Sequence, residues 1–410
     1  MIKHAKNPIF VVFLTMLLDK TGETLIFPLI PFILAAYNPN GLTLGLLASI
    51  STFVAVFGGP LAGACSDAIG RRPVILICIA INFLSLLIFG WAGSLSVIFM
   101  SRALGGIGSS TIGTLQAYIT DISTAENRAK NLGVSGAAFG LGAIGGPALG
   151  GGLVGLGATV PVFVAAGMTG INLLMAALFL KETLREETRK EFDIRSINVF
   201  SKISSLLSNH GLRGISLGFA LFNLAFSAFT SMLVLSLKEM YGWEANQTSG
   251  IFVVVGLTMT YAQVALIGKL VKRYGERDLF RVGMLVVAAG ILLIPAAKIN
   301  DQLVGVIIVG AGIFLAVGAS LVLPTSRSLV SGLVSKNEQG VQLASLASLA
   351  AIASTIGPVM GGWLYDRSTV LSFLIEAIVC VVGFAIIGKG SRDLETNQHL
   401  SSSSIREASD

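Results

Sequence analysis

Gly146-Pro147-Ala148-Leu149-Gly150-Gly151 recurs 211 residues later as Gly357-Pro358-Val359-Met360-Gly361-Gly362. A second echo accompanies it: Gly63 and Gly70, seven residues apart before a basic cluster, return 205 residues on as Gly268 and Gly275. Two independent echoes at nearly one offset argue for an internal duplication. Between the copies lies a mixed-charge stretch, residues 181–212 (KETLREETRKEFDIRSINVFSKISSLLSNHGL), in an otherwise apolar chain. Of 410 residues, 53% are hydrophobic and only 12% charged, where a soluble domain carries about 25% charged residues. The apolar residues come in blocks of about 20, the length that crosses a hydrocarbon core. In that solvent the backbone must satisfy its own polar groups, which leaves helices or closed barrels. The alternation of a barrel strand is absent, so the blocks are helices.

The predicted spans are 8–36, 44–65, 74–93, 96–120, 129–155, 161–180, 213–237, 247–270, 279–298, 302–325, 339–365 and 370–388. The chain is thus expected to be an all-α membrane protein with 12 transmembrane helices in two six-helix halves. The halves are residues 1–180 and 213–388, joined by a cytoplasmic linker at 181–212 and followed by a Ser-rich, disordered cytoplasmic tail at 389–410. The first block is too long for a cleavable signal and lacks a small-residue cleavage site. Parallel halves with a site between them near the midplane are a transporter architecture.

The net charge of +6 does not point to nucleic acid, because 23 of the 28 Lys and Arg fall in the termini, in loops on the same face or at the span ends that border them. Only Lys238, Lys298 and Arg367 fall opposite, and Lys20 and Arg102 lie within spans. This positive-inside bias places both termini in the cytoplasm. Cys65, Cys78 and Cys380 lie in or beside apolar segments without metal-ligand spacing, so neither metal nor cofactor is expected. The histidines His4, His210 and His399 all lie outside the spans. With no catalytic constellation or phosphate-binding loop in sight, an enzyme is not expected.

Charges inside spans are costly and ask for a reason. The first span holds Asp19, Lys20 and Glu23, followed by Pro28 and Pro31. Asp19 and Glu23 are four apart and share a helix face. Two like charges on one face of a desolvated cavity repel, which makes the pair a candidate site for binding and releasing a proton. The alternative is that Lys20 neutralises Asp19 and the group only fixes helix packing. Arg102, in the fourth span, either pairs with Asp19 or Glu23 across a cavity or snorkels to an interface. Glu376, in the last span, either lines the cavity or sits wet near the outer surface. Gln116, Asn223 and Gln263 are candidates to hydrogen-bond a substrate, although span amides more often join helices. Phe226 is the aromatic assigned to the same candidate cavity.

Between spans two and three runs Gly63-Ala64-Cys65-Ser66-Asp67-Ala68-Ile69-Gly70-Arg71-Arg72-Pro73. It resembles the loop signature of the major facilitator superfamily, G-x-x-x-D-x-x-G-R-[RK]. Cys65 stands where an aliphatic residue is usual and Ala68 where a basic one is usual, while Gly63, Asp67, Gly70, Arg71 and Arg72 are intact. The resemblance implies a cytoplasmic gate, latched to neighbouring helix ends at the positions matched by Asp121 and Arg128. Arg102 with Gly106 and Gly108 resembles the fourth-span signature of that family. Gly142, Gly146, Pro147, Gly150 and Gly151 match its fifth-span antiporter signature. Leu18-Asp19-Lys20-Thr21-Gly22-Glu23 leading to Pro28 and Pro31 is similar to the first span of twelve-helix drug/proton antiporters. The general pattern resembles bacterial tetracycline and multidrug efflux proteins. Met259 stands where the tetracycline proteins have a span-eight histidine, and Lys20 is not part of the family pattern.

The resemblance implies the major facilitator fold and proton-coupled export of a small amphipathic drug-like compound by alternating access. Asp19 and Glu23 would handle the proton, modulated by Arg102. The same fold carrying a hydrophilic metabolite, a sugar or an organic anion, is the alternative. The expected partners are a small-molecule substrate, protons and the lipid bilayer, with no nucleic acid, and the expected location is the plasma or inner membrane. Function as a monomer is expected.

Overall fold

A computed structural model describes residues 8–407 apart from 125, 190, 193–198, 300, 336 and 337. His4 lies outside the described residues, as do residues 408–410 of the expected tail. Twelve long helices follow one another in the described chain, with no strand among its elements. They are α1 (Pro8–Ile26), α2 (Gly41–Ile69), α3 (Arg71–Gly90), α4 (Leu95–Asp121), α5 (Arg128–Leu153), α6 (Val160–Phe179), α7 (His210–Tyr241), α8 (Ala245–Tyr274), α9 (Glu276–Ala296), α10 (Val304–Gly332), α11 (Gln339–Tyr365) and α12 (Thr369–Glu407). All but α1 are long and apolar enough to cross a membrane by length and composition. α1 has 19 residues and carries Asp19, Lys20 and Glu23.

Where the sequence predicts one span over 8–36, α1 stops at Ile26 and the chain goes on as a 3₁₀ turn, Phe27–Leu29, and a short helix, Ile30–Ile33. Pro28 and Pro31 cause the break, since each lacks an N–H and crowds the preceding turn. α4 is interrupted after Gly108 and resumes at Thr111, and α8 contains a π-helical stretch, Ala262–Leu266. In the linker a ten-residue helix, Val199–Ser208, buries Ile203 and Leu206. The last helix runs on to Glu407, through the segment the sequence reads as a disordered tail. No proline interrupts that polar run, and extending an existing helix costs little compared with starting one.

Large apolar side chains point away from the protein: Leu174 is 66% exposed, Leu178 76% and Val264 83%. Such faces suit lipid and would be costly in water.

The chain forms two compact units. The first holds residues 1–198 with Thr230–Leu257 and Pro358–Asp366; the second holds Val199–Phe229, Thr258–Gly357 and Arg367–Asp410. In the first unit two apolar layers stack along the helix axes. One contains Val11, Val12, Met16, Ile75 and Ile79; the other contains Leu25, Ile26, Leu86, Phe89 and Val162. In the second unit α9 and α10 pack backbone to backbone, and a Cβ on Gly318 would stand 2.9 Å from the Gly283 carbonyl oxygen.

The duplication is visible in the packing. A Cβ on Gly146 would meet Thr24 Oγ1 at 2.1 Å, Leu25 N at 2.7 Å and Thr21 O at 2.7 Å. A Cβ on Gly357 would meet Ser227 Oγ at 2.1 Å, Leu224 O at 2.4 Å and Ala228 N at 3.1 Å. The same atom types recur: α5 lies on α1 as α11 lies on α7. Gly70 and Gly275 also match, with φ of 113° and 77°. Each ends one helix and begins the next in a conformation that favours glycine.

Candidate functional site

The charged residues of α1 fall between the two apolar layers. Along the helix Val11, Val12 and Met16 belong to one layer and Leu25 and Ile26 to the other. Asp19, Lys20 and Glu23 lie between, as Asn82 does on α3, and they line a cavity of about 280 Å³. Arg102, from the first half of α4, lines it too, with Ser51 and Thr52 of α2. The sequence-predicted proton group is therefore brought together in one cavity.

Its pairing differs from the simplest expectation. Lys20 does not take Asp19 as its partner; its Nζ lies 3.0 Å from Glu23 Oε1 and 5.9 Å above the Phe139 ring. Adjacent helical residues point in different directions, whereas residues three apart are neighbours. Asp19, only 9% exposed, instead accepts from Asn82 Nδ2 at 3.2 Å. Arg102 forms no direct ion pair among the described residues. Its guanidinium sits 5.6 Å over Phe89, a favourable place for a cation, and its carbonyl accepts from Ser51 Oγ at 2.8 Å.

Three of the α5 glycines, Gly142, Gly146 and Gly150, face the same helix. Gly142 and Gly146 let α5 approach α1 so closely that Thr24 Oγ1 donates to the Gly142 carbonyl at 2.8 Å. A Cβ on Gly150 would stand 2.4 Å from Leu25 O, and one on Gly151 2.8 Å from Ser249 Cβ. Pro147 lies inside the helix between them and frees a backbone carbonyl. Thus the antiporter-like motif forms the wall against which the Asp19 helix packs.

At the α2–α3 turn, Arg71 Nη1 donates to Asp67 at 2.5 Å and to Ser66 Oγ at 2.7 Å, while its Nε donates to Asp121 at 3.0 Å. Arg72 Nη2 donates to the Ala177 carbonyl at 2.8 Å. Gly63 leaves open space where a Cβ would stand. Asp121 is the receiving group the sequence predicts. The exposed Arg128 side chain does not join this cluster. Glu182 joins the cluster from the linker, its two oxygens accepting from the Arg71 and Arg72 backbone N–H groups at 3.0 and 3.1 Å. Burial disfavours the Glu182 charge, but N–H donors from Leu184, Arg71, Arg72 and Thr183 outweigh it and hold the carboxyl below its usual range.

The remaining candidates are not among the cavity's lining. Gln116 on α4 and Gln263 in the π-helical stretch are exposed. Asn223 donates to the Phe219 carbonyl at 2.8 Å within α7, and Phe226 stacks on Phe222 at 5.2 Å. Glu376 is fully buried rather than wet. Its Oε1 accepts from Ser372 at 3.0 Å, and its Oε2 has no hydrogen-bond partner among the described residues. Among the described residues no cluster suited to a metal occurs.

The sequence profile described as Major Facilitator Superfamily matches residues 12–294 and 215–401. The chain belongs to that superfamily. Multidrug resistance protein 2 of Bacillus subtilis (strain 168) is 29% identical over 386 residues, with 92% of each chain covered. Tetracycline resistance protein, class G, of Vibrio anguillarum is 30% identical over 359 residues, covering 86% of this chain and 88% of its own. Among solved structures, the human organic anion transporter MFSD10 (TETRAN) shares the fold, with a TM-score of 0.71 at 24% identity over 93% of this chain and 99% of its own. This facilitator is therefore a multi-pass membrane transporter, not an enzyme. Its sequence pattern did not single out Asn82, Ser51 or Glu182. Asn82 carried a weak signal, an amide in the middle of an apolar span; Glu182 stood in a charged run where nothing set it apart.

Proposed function

We propose that this facilitator exports small amphipathic, drug-like compounds in exchange for protons, with Asp19 as the principal proton site. One observation carries the reading: among the described residues, an Asp19 with no counter-ion in contact shares a cavity with an Arg102 in no ion pair and a closed Lys20–Glu23 pair. Two opposite charges are thus available to a ligand or a proton, and two are already spent on each other. An amphipathic cation entering the cavity competes with the proton for the Asp19 carboxylate. Arg102, held over Phe89, raises the cost of both occupying it together. Resistance proteins of multidrug and tetracycline type among the relatives support export over uptake. The positive-inside bias supports a cell-membrane protein with both termini cytoplasmic. On that topology Arg71, Asp67, Asp121 and Glu182 form the inner gate, and the α1–α5 seam permits rocking between access states.

The test uses everted membrane vesicles energised to an acidic interior. Adding a lipophilic cationic drug should dissipate the gradient in vesicles carrying the wild type and leave it intact with Asp19→Asn. Stabilisation of the purified protein by an organic anion or a sugar, with no drug-driven proton flux, would replace this reading with that of a metabolite carrier.

A further inference from the structure

Two of the three cysteines stand together in the first unit, and neither lines the Asp19 cavity. Ala62 and Cys65 are three residues apart on α2, and Val74 and Cys78 four apart on α3, so each pair forms a short ridge on one helix face. Ala62, Val74 and Cys78 form a small buried cluster, and Cys65 packs against it. Cys78 is only 4% exposed, and its thiol shares a hydrogen bond with Thr111 at the restart of α4. Cys65 is half-buried, and both cysteines are free thiols. The two are near enough to act on each other electrostatically. Cys65 stands where the loop signature usually has an aliphatic residue, and Ser66 and Asp67 hold Arg71 without it. The gate therefore does not need the pair.

A ligand for this dithiol must take two sulfurs and leave no charge behind. Among the described residues no third thiol, imidazole or carboxylate completes a metal-binding group, which excludes a tetrahedral zinc site. Two thiolates around a univalent soft ion would carry a net negative charge, costly beside Ala62 and Val74. A trivalent organoarsenical meets both demands: its arsenic already carries one carbon, needs only two sulfurs to complete its three bonds, and ends neutral. We propose that Cys65 and Cys78 form a covalent binding site for trivalent organoarsenicals, bridging α2 and α3. With an arsine oxide, R–As=O, each thiol attacks arsenic in turn. Two As–S bonds form, the As=O bond and two S–H bonds break, and both protons leave with the oxygen as water. Arsenic stays trivalent, so neither oxidant nor reductant is needed. Leu61 and Ile69, each one turn from Cys65 on α2, are 43% and 49% exposed. A lipophilic reagent therefore reaches Cys65 first, and the Cys78 thiol closes the bridge in an intramolecular step. Cys380 has no second thiol in its own unit and takes no bridge.

Trypsin tests the bridge directly, because its cut after Arg71 parts residues 21–71, which hold Cys65, from residues 72–102, which hold Cys78. The full-length protein, purified in detergent with its thiols reduced, is treated with phenylarsine oxide, then denatured and digested. Mass spectrometry should find the two fragments joined through one phenylarsenic group, the chain having gained one phenylarsine oxide and lost one water. In the native protein the adduct should withstand about a hundredfold more 2-mercaptoethanol than strips it from Cys65→Ser or Cys78→Ser, because two tethered bonds outlast one. Cys380→Ser should bind as the wild type does. Absence of the joined fragments, or a wild type stripped as easily as either single-thiol variant, overturns the site. The fragment measurement needs only the wild type, so a variant that fails to fold leaves the test intact. Binding is read here without transport, so failure of the antiport reading would leave this result standing.

Discussion

Asp19 and Glu23 stand one turn apart on α1, yet their surroundings give them different work. Glu23 is held by Lys20, whereas Asp19 is buried and, among the described residues, meets the Asn82 amide and no cation. Asp19→Asn should abolish proton-driven export, since an amide cannot take up and release a proton. Glu23→Gln, at a more exposed carboxylate, should cut it far less; equal losses in vesicle transport would contradict the division. Glu376→Gln should fold and export normally, because the amide keeps the Ser372 contact and Glu376 is not part of the cavity's lining. At this scale the sequence indicated which charges matter but not who pairs with whom. Lys20 beside Asp19 is as consistent with one partner as the other until the helix turn is built.

Helix pairs follow from their small residues. Gly146→Ala places a Cβ 2.1 Å from Thr24 Oγ1 and 2.7 Å from Leu25 N, an overpacking that should cost about 1–3 kcal/mol. A lower thermal midpoint in detergent is the expected result. Gly145→Ala has open space around it and should leave the midpoint alone. The start of α3 depends on Glu182, whose folded carboxyl lies below its usual value of 4.5. A carboxyl depressed in this way stabilises the fold above its unfolded value and loses that contribution as pH falls through the lower folded one. The thermal midpoint should therefore drop on acidification below about 4.5, and Glu182→Gln should flatten that limb. The spans were legible because apolar length and prolines mark them. The Val199–Ser208 helix and the π-helical stretch of α8 were not: one lies in a run whose charges mask two buried apolar residues, and the other depends on neighbours.

For the whole molecule, two observations join the halves of the sequence into one transporter. The Gly146 and Gly357 seams repeat atom for atom, and Gly70 and Gly275 take the same turn. The duplication could be read from the chain because glycines at backbone contacts and left-handed turns tolerate little replacement. The hydrogen bonds from the Gly41 and Leu42 N–H groups to Asp366 could not, because an aspartate at the end of a span looks like any loop charge. The central claim is that Asp19 exchanges a proton for substrate in the α1–α4 cavity. It is tested most directly by adding a lipophilic cationic drug to the purified protein in weakly buffered detergent and recording proton release. Release is expected from the wild type and Glu23→Gln and none from Asp19→Asn. Undiminished release by a folded Asp19→Asn protein would contradict it.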